Sequence, residues 1–473
     1  MKENYVKPID GVELVTEAYK EYAHYVNTGR AAPNLIDGAK SVYKRLIYGC
    51  YKLGPRHKIK SAELCGYALK YHPHPEGIYK VVCQVADLDC KFKLFDTQGL
   101  FGGKGATPAA SRYTDCMLSD LAIDIFCEAV DYCEYEEGEI GHDEPVALPT
   151  FLQLCYLEGA YGIPVGAKIA NIPALNSYEL IDYIIKKLEA KDLDFQPKNF
   201  PTPNCGDVLI ISEKNDWNEI MRTGKGKLLF APIMNIDKDD IITIQGLPEG
   251  KDIESVLKIL DKEITLDKVD VRDESGIDTK IVVEKVHRKQ CNMKEVYQKL
   301  YKKLQSSETY NFMFFRNNKI IKCGFDYSIK ESLKYLIETY QNKLTKELEA
   351  LKNKLLILET IEKIKKEGNI KELVSLTLEE AANHISKKHD VDIEIAKQVL
   401  SKPISYLTKE HKDEIDNIKD NIKQNENNLS NIYDYMIEKY KNLKNKIKKV
   451  MAFNYKTKFI EAESPKKQRK KDK

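Results

Sequence analysis

The sequence predicts a multidomain α+β protein. At 473 residues the chain is too long for a single hydrophobic core, and we expect about two to four domains. Strand-like runs alternate with helical patterns over residues 141–325, whereas residues 326–450 carry apolar side chains spaced by threes and fours. These two patterns indicate an α+β module followed by a hairpin of long helices.

Residues 1–28 are predicted to form an N-terminal arm, and residues 29–140 a mostly helical domain. The arm contains one helical pattern, Val12–Tyr25. The domain contains three more, which are "AKSVYKRLIYGCYKLG" (39–54), "SAELCGYALKYH" (61–72) and "DCMLSDLAIDIFCEAV" (115–130). A basic helix that follows a turn is how helix-turn-helix folds meet DNA. From this pattern alone, however, a solvated helix face is the plainer interpretation of Lys44 and Arg45.

Residues 141–325 are predicted to form the α+β module. Short runs rich in β-branched and aliphatic residues indicate strands, and amphipathic runs between them indicate helices. The strands are "GDVLIIS" (206–212), "GKLLFAPIM" (226–234), "DIITIQGLP" (240–248) and "KIVVEKVHR" (280–288), and the helices are "SYELIDYIIKKLEA" (177–190) and "IESVLKILDKEI" (253–264).

Two long amphipathic helices are predicted within residues 326–450. Apolar seams with a spacing near 3.5 residues run from Leu333 to Ile361 and from Ile415 to Ile447. Gly368 ends the first helix, and a helical globule of about residues 369–412 separates the two. The sequence alone leaves open whether this is a generic coiled coil that dimerises the protein or a pair of arms ending in a dimer gate. Residues 451–473 predict a basic, disordered tail.

Composition narrows the class of protein. The net charge is only +2, so any DNA-binding surface must come from uneven placement of Lys and Arg. The eleven cysteines include no Cys-x-x-Cys pair, which fits reduced intracellular thiols better than a disulfide framework or a zinc site. The N-terminus has no apolar signal segment, and no run approaches the ~20 apolar residues that a membrane span requires. We therefore expect a cytoplasmic protein with no membrane partner.

The pair Arg112-Tyr113, in the string "AASRYTD" (109–115), is the candidate catalytic pair of this sequence. A phenolate can attack the phosphorus of a phosphodiester, and a neighbouring guanidinium can hold the non-bridging oxygens as negative charge builds on them. A single Arg-Tyr pair is weak evidence, because a half-buried surface tyrosine is the more common occurrence. Its surroundings decide the interpretation.

Several motifs occur in a fixed order around this pair. They are "GRAAPNLIDGAKSVYKRLIYG" (29–49), "KSAELCGYALKYHPH" (60–74), "QGLFGGKGATPAASRYTDCMLSD" (98–120), "EPVALPTFLQLCYLEGAYGIPVGAKIANIPALN" (144–176), "NFPTPNCG" (199–206), "RTGKGK" (222–227) and "DVRDES" (270–275). Together they resemble the breakage-reunion region of type IIA DNA topoisomerases, which is found in the A-type polypeptides of gyrase and topoisomerase IV. The resemblance implies a winged-helix (CAP-like) DNA-binding domain at 29–140, an α+β tower domain at 141–325, and antiparallel coiled-coil arms ending in a helical dimer gate at 326–450.

The resemblance also implies roles for individual residues. Tyr113 is expected to form a 5′-phosphotyrosyl link in each strand of a transient double-strand break. Arg112, Arg30 and His74 are expected to surround the scissile phosphate, with Arg30 acting on the site of the second copy of the chain. The residues expected to hold DNA are Lys40, Lys44, Arg45 and His72, together with Ile163, which would intercalate as an apolar wedge and bend the duplex.

Cofactors and partners follow from the same resemblance. The loop "GLFGGKG" (99–105) lacks the Gly-Lys-Ser/Thr ending of a nucleotide-binding loop, and no acidic metal triad is evident, so no metal site is predicted on this chain. In the family, ATP hydrolysis and most of the Mg²⁺ binding belong to a separate B-type subunit with ATPase and Toprim parts. The expected partners are double-stranded DNA, a second copy of this chain bound through the coiled-coil gate, and that B-type subunit, in a heterotetramer or larger complex.

Three alternatives remain beside relaxation and decatenation of DNA. The sequence shows no strand-rich C-terminal wrapping domain, which argues against gyrase proper, although a divergent gyrase A-type chain stays open. A non-catalytic DNA-bridging protein dimerised by its coiled coil is a second alternative, and a tyrosine recombinase fits the coiled-coil arms poorly. Short length and a composition rich in Lys, Asn and Ile favour a bacteriophage-type subunit that works in a bacterial cell or infected host.

Overall fold

The computed structural model describes the following residues: 10–74, 77–86, 91–102, 107–206, 208–263, 268–275, 279–286, 291–368, 373, 376–403, 406, 411–450 and 458–459. The chain divides into two compact units, one made of residues 1–336 with 440–473 and the other of residues 337–439. The first unit mixes helices with sheets, as the sequence predicts for an α+β protein.

The helices of the first unit include the predicted amphipathic ones and four that the sequence analysis did not predict, α4, α6, α8 and α10. Those lying wholly in this unit are α1 Gly11–Val26, α2 Ser41–Leu53, α3 Ser61–Ala68, α4 Ile78–Ala86, α5 Asp120–Phe126, α6 Leu154–Glu158, α7 Ser177–Glu189, α8 Lys214–Thr223, α9 Ile253–Glu263 and α10 Met293–Lys303. In α7 the Asn176 side chain accepts hydrogen bonds from the first turn, as an N-cap does. In α8 the left-handed Gly224 closes the last turn.

The strands of the first unit form two larger sheets and two hairpins. They are β1 Ile59–Lys60, β2 Phe95–Gln98, β3 Asp115–Leu118, β4 Tyr135–Glu137, β5 Asp143–Pro145, β6 Ala160–Gly162, β7 Ala170–Ile172, β8 Val208–Ile210, β9 Lys225–Ile236, β10 Ile242–Gly246, β11 Val269–Asp273, β12 Ile281–Lys285, β13 Ser306–Asn311, β14 Met313–Arg316, β15 Lys319–Lys322 and β16 Lys458–Phe459. All four strands predicted from the sequence in this region are present.

A three-stranded antiparallel sheet in the order β1-β3-β2 supports the first part of the chain. Residues 115–118 were predicted to begin a helix, and this prediction is wrong. They form β3, because their backbone pairs with β1 at Cys116 and with β2 from Gln98 back to Phe95. The helix α5 starts only after Ser119, whose hydroxyl accepts a hydrogen bond from the Ala122 N–H.

A nine-stranded sheet forms the rest of the first unit. Its main path runs β11-β12-β10-β9-β13-β7-β6, with β8 paired to β9 and β16 paired to β8. At one end α9 and α10 pack on this sheet through a core of aliphatic residues that includes Ile244, Leu260 and Leu300, all inaccessible to solvent. The β6–β7 hairpin at the opposite end therefore rests on an extensive, rigid support.

The second unit is helical. It takes in the later part of α11 Phe325–Glu367, then α12 Leu378–His389, α13 Ile393–Leu400, α14 Lys412–Ser430 and the first residues of α15 Ile432–Val450. The end of α11 shares a small core with α12 and α13, and this core includes Ile361, Ile385 and Ala396. The globule predicted at about 369–412 corresponds in part to this core, although residues 369–372, 374–375, 404–405 and 407–410 lie outside the described residues.

The two predicted long helices lie antiparallel within this unit. Ion pairs join α11 to α14, with Lys352 2.7 Å from Glu426 and Lys419 2.8 Å from Glu359. The second helix was predicted to be continuous from Ile415 to Ile447, and this is wrong. It breaks at Asn431, whose backbone leaves the helical region (φ −117°, ψ 47°) and separates α14 from α15.

Candidate nucleic-acid cleavage site

Tyr113 ends a single 3₁₀ turn, Ser111–Tyr113, directly before β3. The turn is closed by a hydrogen bond of 2.9 Å from the Tyr113 N–H to the Ala110 carbonyl. The Tyr113 side chain is 65% exposed, and the Arg112 guanidinium carbon lies 4.7 Å from the centre of its ring. A nucleophile and a cation are therefore adjacent at the surface, where a phosphate can reach both.

Buried hydroxyl groups hold the residue that follows Tyr113. Thr114 is inaccessible to solvent, and its Oγ1 donates to the Ser61 Oγ over 2.9 Å. The Tyr79 hydroxyl lies 3.1 Å from the same Oγ1 and donates to the Ala109 carbonyl at 2.5 Å. This network ties the 109–114 segment to α3 and α4, so the position of Tyr113 is set by the packed interior and not by the loop alone.

A second group of side chains lies where α1 meets the following turn. Arg30 is exposed, and its guanidinium carbon lies 5.8 Å from the centre of the Tyr25 ring. The Tyr25 hydroxyl is 2.5 Å from Nε2 of His74, and the two rings meet edge to face. The structure thus brings two of the predicted phosphate-binding residues, Arg30 and His74, to one place.

His72 contacts this group from the other side. Its ring lies edge to face with that of His74, with 5.8 Å between ring centres. Nη1 of Arg45 lies 3.1 Å from Nδ1 of His72, which makes Nδ1 the acceptor because a guanidinium only donates. Burial, aided by the Arg45 charge, lowers the pKa of His72 to about 4, so His72 is uncharged at neutral pH. A DNA contact by His72 stays a prediction.

Lys44 and Arg45 are buried in this structure and do not face solvent, so a contact of either with the DNA backbone stays a prediction. The Arg45 Nε and Nη2 each donate to Glu144 at 2.9 Å, and both side chains of this pair are about 5% exposed. Lys44 Nζ donates to the Pro145 carbonyl at 2.6 Å. Both cations bind acceptors at β5, so they fasten α2 to β5.

Lys40 is half-buried and supports the β6–β7 hairpin. Its Nζ donates to the Tyr161 carbonyl at 2.6 Å, and burial lowers the pKa of Lys40. This contact is with protein backbone, and a contact of Lys40 with DNA stays a prediction.

Ile163 stands at the end of β6 and is 70% exposed. The residue before it is pressed against the Arg30 segment, since a Cβ on Gly162 would lie 1.9 Å from the Ala31 carbonyl oxygen. Asn27 bonds both the N–H and the carbonyl of Val165, at 2.7 and 3.0 Å. A large apolar side chain held out on a fixed hairpin suits insertion between base pairs.

A model of the family described as the A-type polypeptide of DNA gyrase/topoisomerase IV matches residues 30–449 of this chain. The chain belongs to this family. The matched residues include the Arg112-Tyr113 pair, the histidines at 72 and 74, and the Ile163 hairpin.

Individual relatives within this gyrase and topoisomerase IV family are distant in sequence. The chain is 28% identical to the A-type polypeptide of DNA topoisomerase 4 from Borreliella burgdorferi, over 72% of this chain and 53% of that protein. It is 31% identical to the A-type polypeptide of DNA gyrase from Aminobacterium colombiense, over 64% and 40% of the two chains. The corresponding gyrase protein of Clostridium acetobutylicum is 28% identical, over 86% and 52%. The chain thus spans about half the length of these relatives.

The predicted residues of this family member form two separate groups. Within the described residues, no hydrogen bond, ion pair or ring contact joins Tyr113 to Arg30 or to His74. Sequence reasoning missed Tyr25, Ser61 and Tyr79, because none of them lies in a motif that names its function. The one available signal for Tyr25 was its position about one helical turn before Arg30.

Metal ligands and membrane spans are both absent from the part of the chain that the structure describes. It holds no group of three His, Cys, Asp or Glu side chains placed to bind a metal ion. Among the described helices, none combines the length and apolar character needed to cross a bilayer.

Proposed function

We propose that this chain is the DNA-cleaving and religating subunit of an ATP-dependent type II DNA topoisomerase. The Tyr113 oxygen attacks a backbone phosphorus and loses its proton, the 5′ phosphate becomes esterified to the tyrosine, and the 3′ oxygen leaves as a hydroxyl. Attack by that hydroxyl restores the phosphodiester, so no net hydrolysis occurs. The exposed Tyr113 beside the Arg112 guanidinium, within a chain that matches the family over residues 30–449, carries this proposal.

Arg112, Arg30 and His74 surround the scissile phosphate in this function. Arg112 stabilises both the phenolate and the charge that develops on the phosphoryl oxygens. Arg30 and His74 form their own group, and we assign that group to the phosphate attacked by the tyrosine of a second copy of the chain. Within the described residues, both contact Tyr25, and no hydrogen bond, ion pair or ring contact joins either to Tyr113, which supports this assignment.

The domains take the places expected from the family. Residues 29–140 act as the winged-helix domain that presents Tyr113, and residues 141–325 act as the tower whose hairpin inserts Ile163. Residues 326–450 act as coiled-coil arms that join two copies at a dimer gate, with the globule at about 369–412 as the gate. The antiparallel α11 and α14 support this part of the proposal. Residues 451–473 act as a basic tail.

A B-type subunit supplies ATP hydrolysis and binds Mg²⁺, and double-stranded DNA is the substrate. The surface of α1 supports docking of another polypeptide, since the helix has no buried residue and exposes several large apolar side chains, which are Val12, Leu14, Val15, Tyr19 and Tyr22.

The test is trapping of the covalent adduct. The protein is mixed with the B-type subunit, Mg²⁺ and supercoiled plasmid, and the reaction is stopped with detergent and protease. We expect linear DNA with protein-blocked 5′ ends, lost in Tyr113→Phe and retained in Tyr327→Phe, which removes the hydroxyl of another exposed tyrosine. DNA binding without an adduct in an intact complex would support the DNA-bridging alternative.

Relaxation and decatenation are the expected activities. The matched relatives carry both gyrase and topoisomerase IV names, so a divergent gyrase A-type chain is the second candidate. Incubation of relaxed plasmid with ATP and the complete complex separates the two, because only a gyrase introduces negative supercoils.

A further inference from the structure

His74 contacts Tyr25, a residue for which the family resemblance implies no role. The Tyr25 hydroxyl lies 2.5 Å from Nε2 of His74. The two rings meet at 67° with their centres 6.1 Å apart, and the Arg30 guanidinium lies over the other ring of this pair, that of Tyr25. Tyr25 therefore contacts both residues assigned to the phosphate of a second copy.

We propose that Tyr25 is a positioning residue that fixes the proton of neutral His74 on Nδ1, so that Nδ1–H is the donor offered to the phosphate. The proposal rests on the proposed function for its catalytic consequence. Tyr25 itself does not contact DNA in this arrangement.

The Tyr25 hydroxyl can donate to Nε2 of neutral His74 or accept from it, and the 2.5 Å separation favours donation, because it lies within the range of O–H donors and below the usual range of N–H donors. When His74 is neutral, the Tyr25 hydroxyl donates to Nε2, and the single ring proton must then reside on Nδ1. When His74 is protonated, Nε2–H donates to the Tyr25 oxygen and Nδ1 still carries its proton. The hydroxyl thus keeps a partner in both states, and Nδ1 remains a donor in both.

The charges around His74 are consistent with this role. Arg30 contacts the Tyr25 ring, which in turn contacts His74, whereas the His72 ring contacts His74 directly. Behind His72 lie Arg45 and the partly exposed Glu139, which are paired with each other at 3.1 Å. His72 is neutral near pH 7, so it adds no positive charge next to His74. Glu76 follows closely in the chain and lies outside the described residues.

The Tyr25→Phe variant removes the hydroxyl and keeps the ring under Arg30. The single ring proton of neutral His74 is then free to move to Nε2. We expect adduct formation to fall about fivefold, which is the scale of one hydrogen bond. Tyr51→Phe is the matched control, since it removes a tyrosine hydroxyl bond to Asp131 elsewhere on the same unit.

A His74→Ala background separates positioning from general stability. If Tyr25 acts through His74, adding Tyr25→Phe to His74→Ala causes no further loss of adduct. An equal loss in both backgrounds would overturn the proposal by showing that Tyr25 is only structural.

Nitrogen NMR tests the same inference without DNA or the B-type subunit. With ¹⁵N-labelled histidine in the full chain, and His74→Gln to assign the signal, we expect the Nδ1–H tautomer for neutral His74. Tyr25→Phe should shift the signal towards Nε2–H. An Nε2–H tautomer in the unsubstituted protein would refute the inference. Correct tautomers together with no adduct in the unsubstituted complex would instead refute the proposed cleavage function.

Discussion

The ion pair between Arg45 and Glu144 predicts a large and specific loss of stability. Glu144 accepts two hydrogen bonds of 2.9 Å from Arg45, and the Lys44 ammonium lies 3.8 Å away. The Glu144→Gln substitution conserves shape but leaves two buried cations without their main anion. Loss of one partner from a buried pair costs about 3–5 kcal/mol.

The lower end of this range is the better estimate here. Arg45 keeps its bond to Glu139, and the Lys44 ammonium keeps the Pro145 carbonyl as an acceptor. The Glu139 side chain is 43% exposed, so that contact compensates by at most about 1 kcal/mol. We therefore expect Glu144→Gln to lower the free energy of unfolding by about 3 kcal/mol.

Urea unfolding followed by circular dichroism measures this effect. Glu139→Gln, which removes the exposed partner of the same guanidinium, is the control and should cost less than about 1 kcal/mol. Replacing both members, as Arg45→Met with Glu144→Met, should cost less than Glu144→Gln alone, because the Arg45 charge is removed together with its anion. If Glu144→Gln and Glu139→Gln were equal in stability, or if Arg45→Met weakened DNA binding with no loss of stability, the assignment of Arg45 to the interior would be wrong.

Three further predictions concern the surroundings of the site. Thr114→Val deprives the buried Ser61 hydroxyl and Tyr79 of a partner, so thermal unfolding should show a loss of about 1–3 kcal/mol and adduct formation should slow, whereas Thr114→Ser should retain both. Gly162→Ala should destabilise the protein by about 2 kcal/mol or more, because the new methyl group would collide with the Ala31 carbonyl. Gly29→Ala is the control and should be tolerated, because there is open space beside its Cα. Equal melting temperatures for the two variants would contradict this prediction. Folding holds the pKa of His72 at about 4, below the 6.5 of a free histidine. The stability that the fold gains from neutral His72 is therefore complete above about pH 6.5 and is lost as the pH falls towards 4. The stability of the unsubstituted protein relative to His72→Gln should therefore decline over that range, and a difference that stays constant with pH would show that His72 titrates normally.

Local pattern was sufficient to predict several helices of this chain and four of its sixteen described strands, which are β8, β9, β10 and β12. The helices α2, α7 and α9 each carry an uninterrupted amphipathic pattern, and β9 and β12 are rich in β-branched or aliphatic residues. Residues 115–118 are different. Their apolar spacing suits a helix, but pairing with β1 and β2 on both sides outweighs that preference.

Burial of charge was the main feature that the sequence did not reveal. Lys44 and Arg45 occupy a basic helix, and spacing alone cannot distinguish cations that face DNA from cations that face Glu144, which lies almost 100 residues later. Such a contact depends on tertiary structure. The exposure of Tyr113 and Ile163 likewise depends on the packing beneath them, and their roles in cleavage and intercalation stay predictions.

The contact between Gly162 and the Ala31 carbonyl has a mechanical consequence. Because the two backbones touch with no side chain between them, we expect the hairpin tip and the segment carrying Arg30 to move together as one rigid body. A force that displaces Ile163 is then transmitted to residue 30 without being absorbed by intervening side-chain rotation. If Ile163 inserts into a duplex as proposed, the resistance of that duplex to bending would reach the Arg30 segment through this backbone contact, so DNA stiffness would influence the position of Arg30.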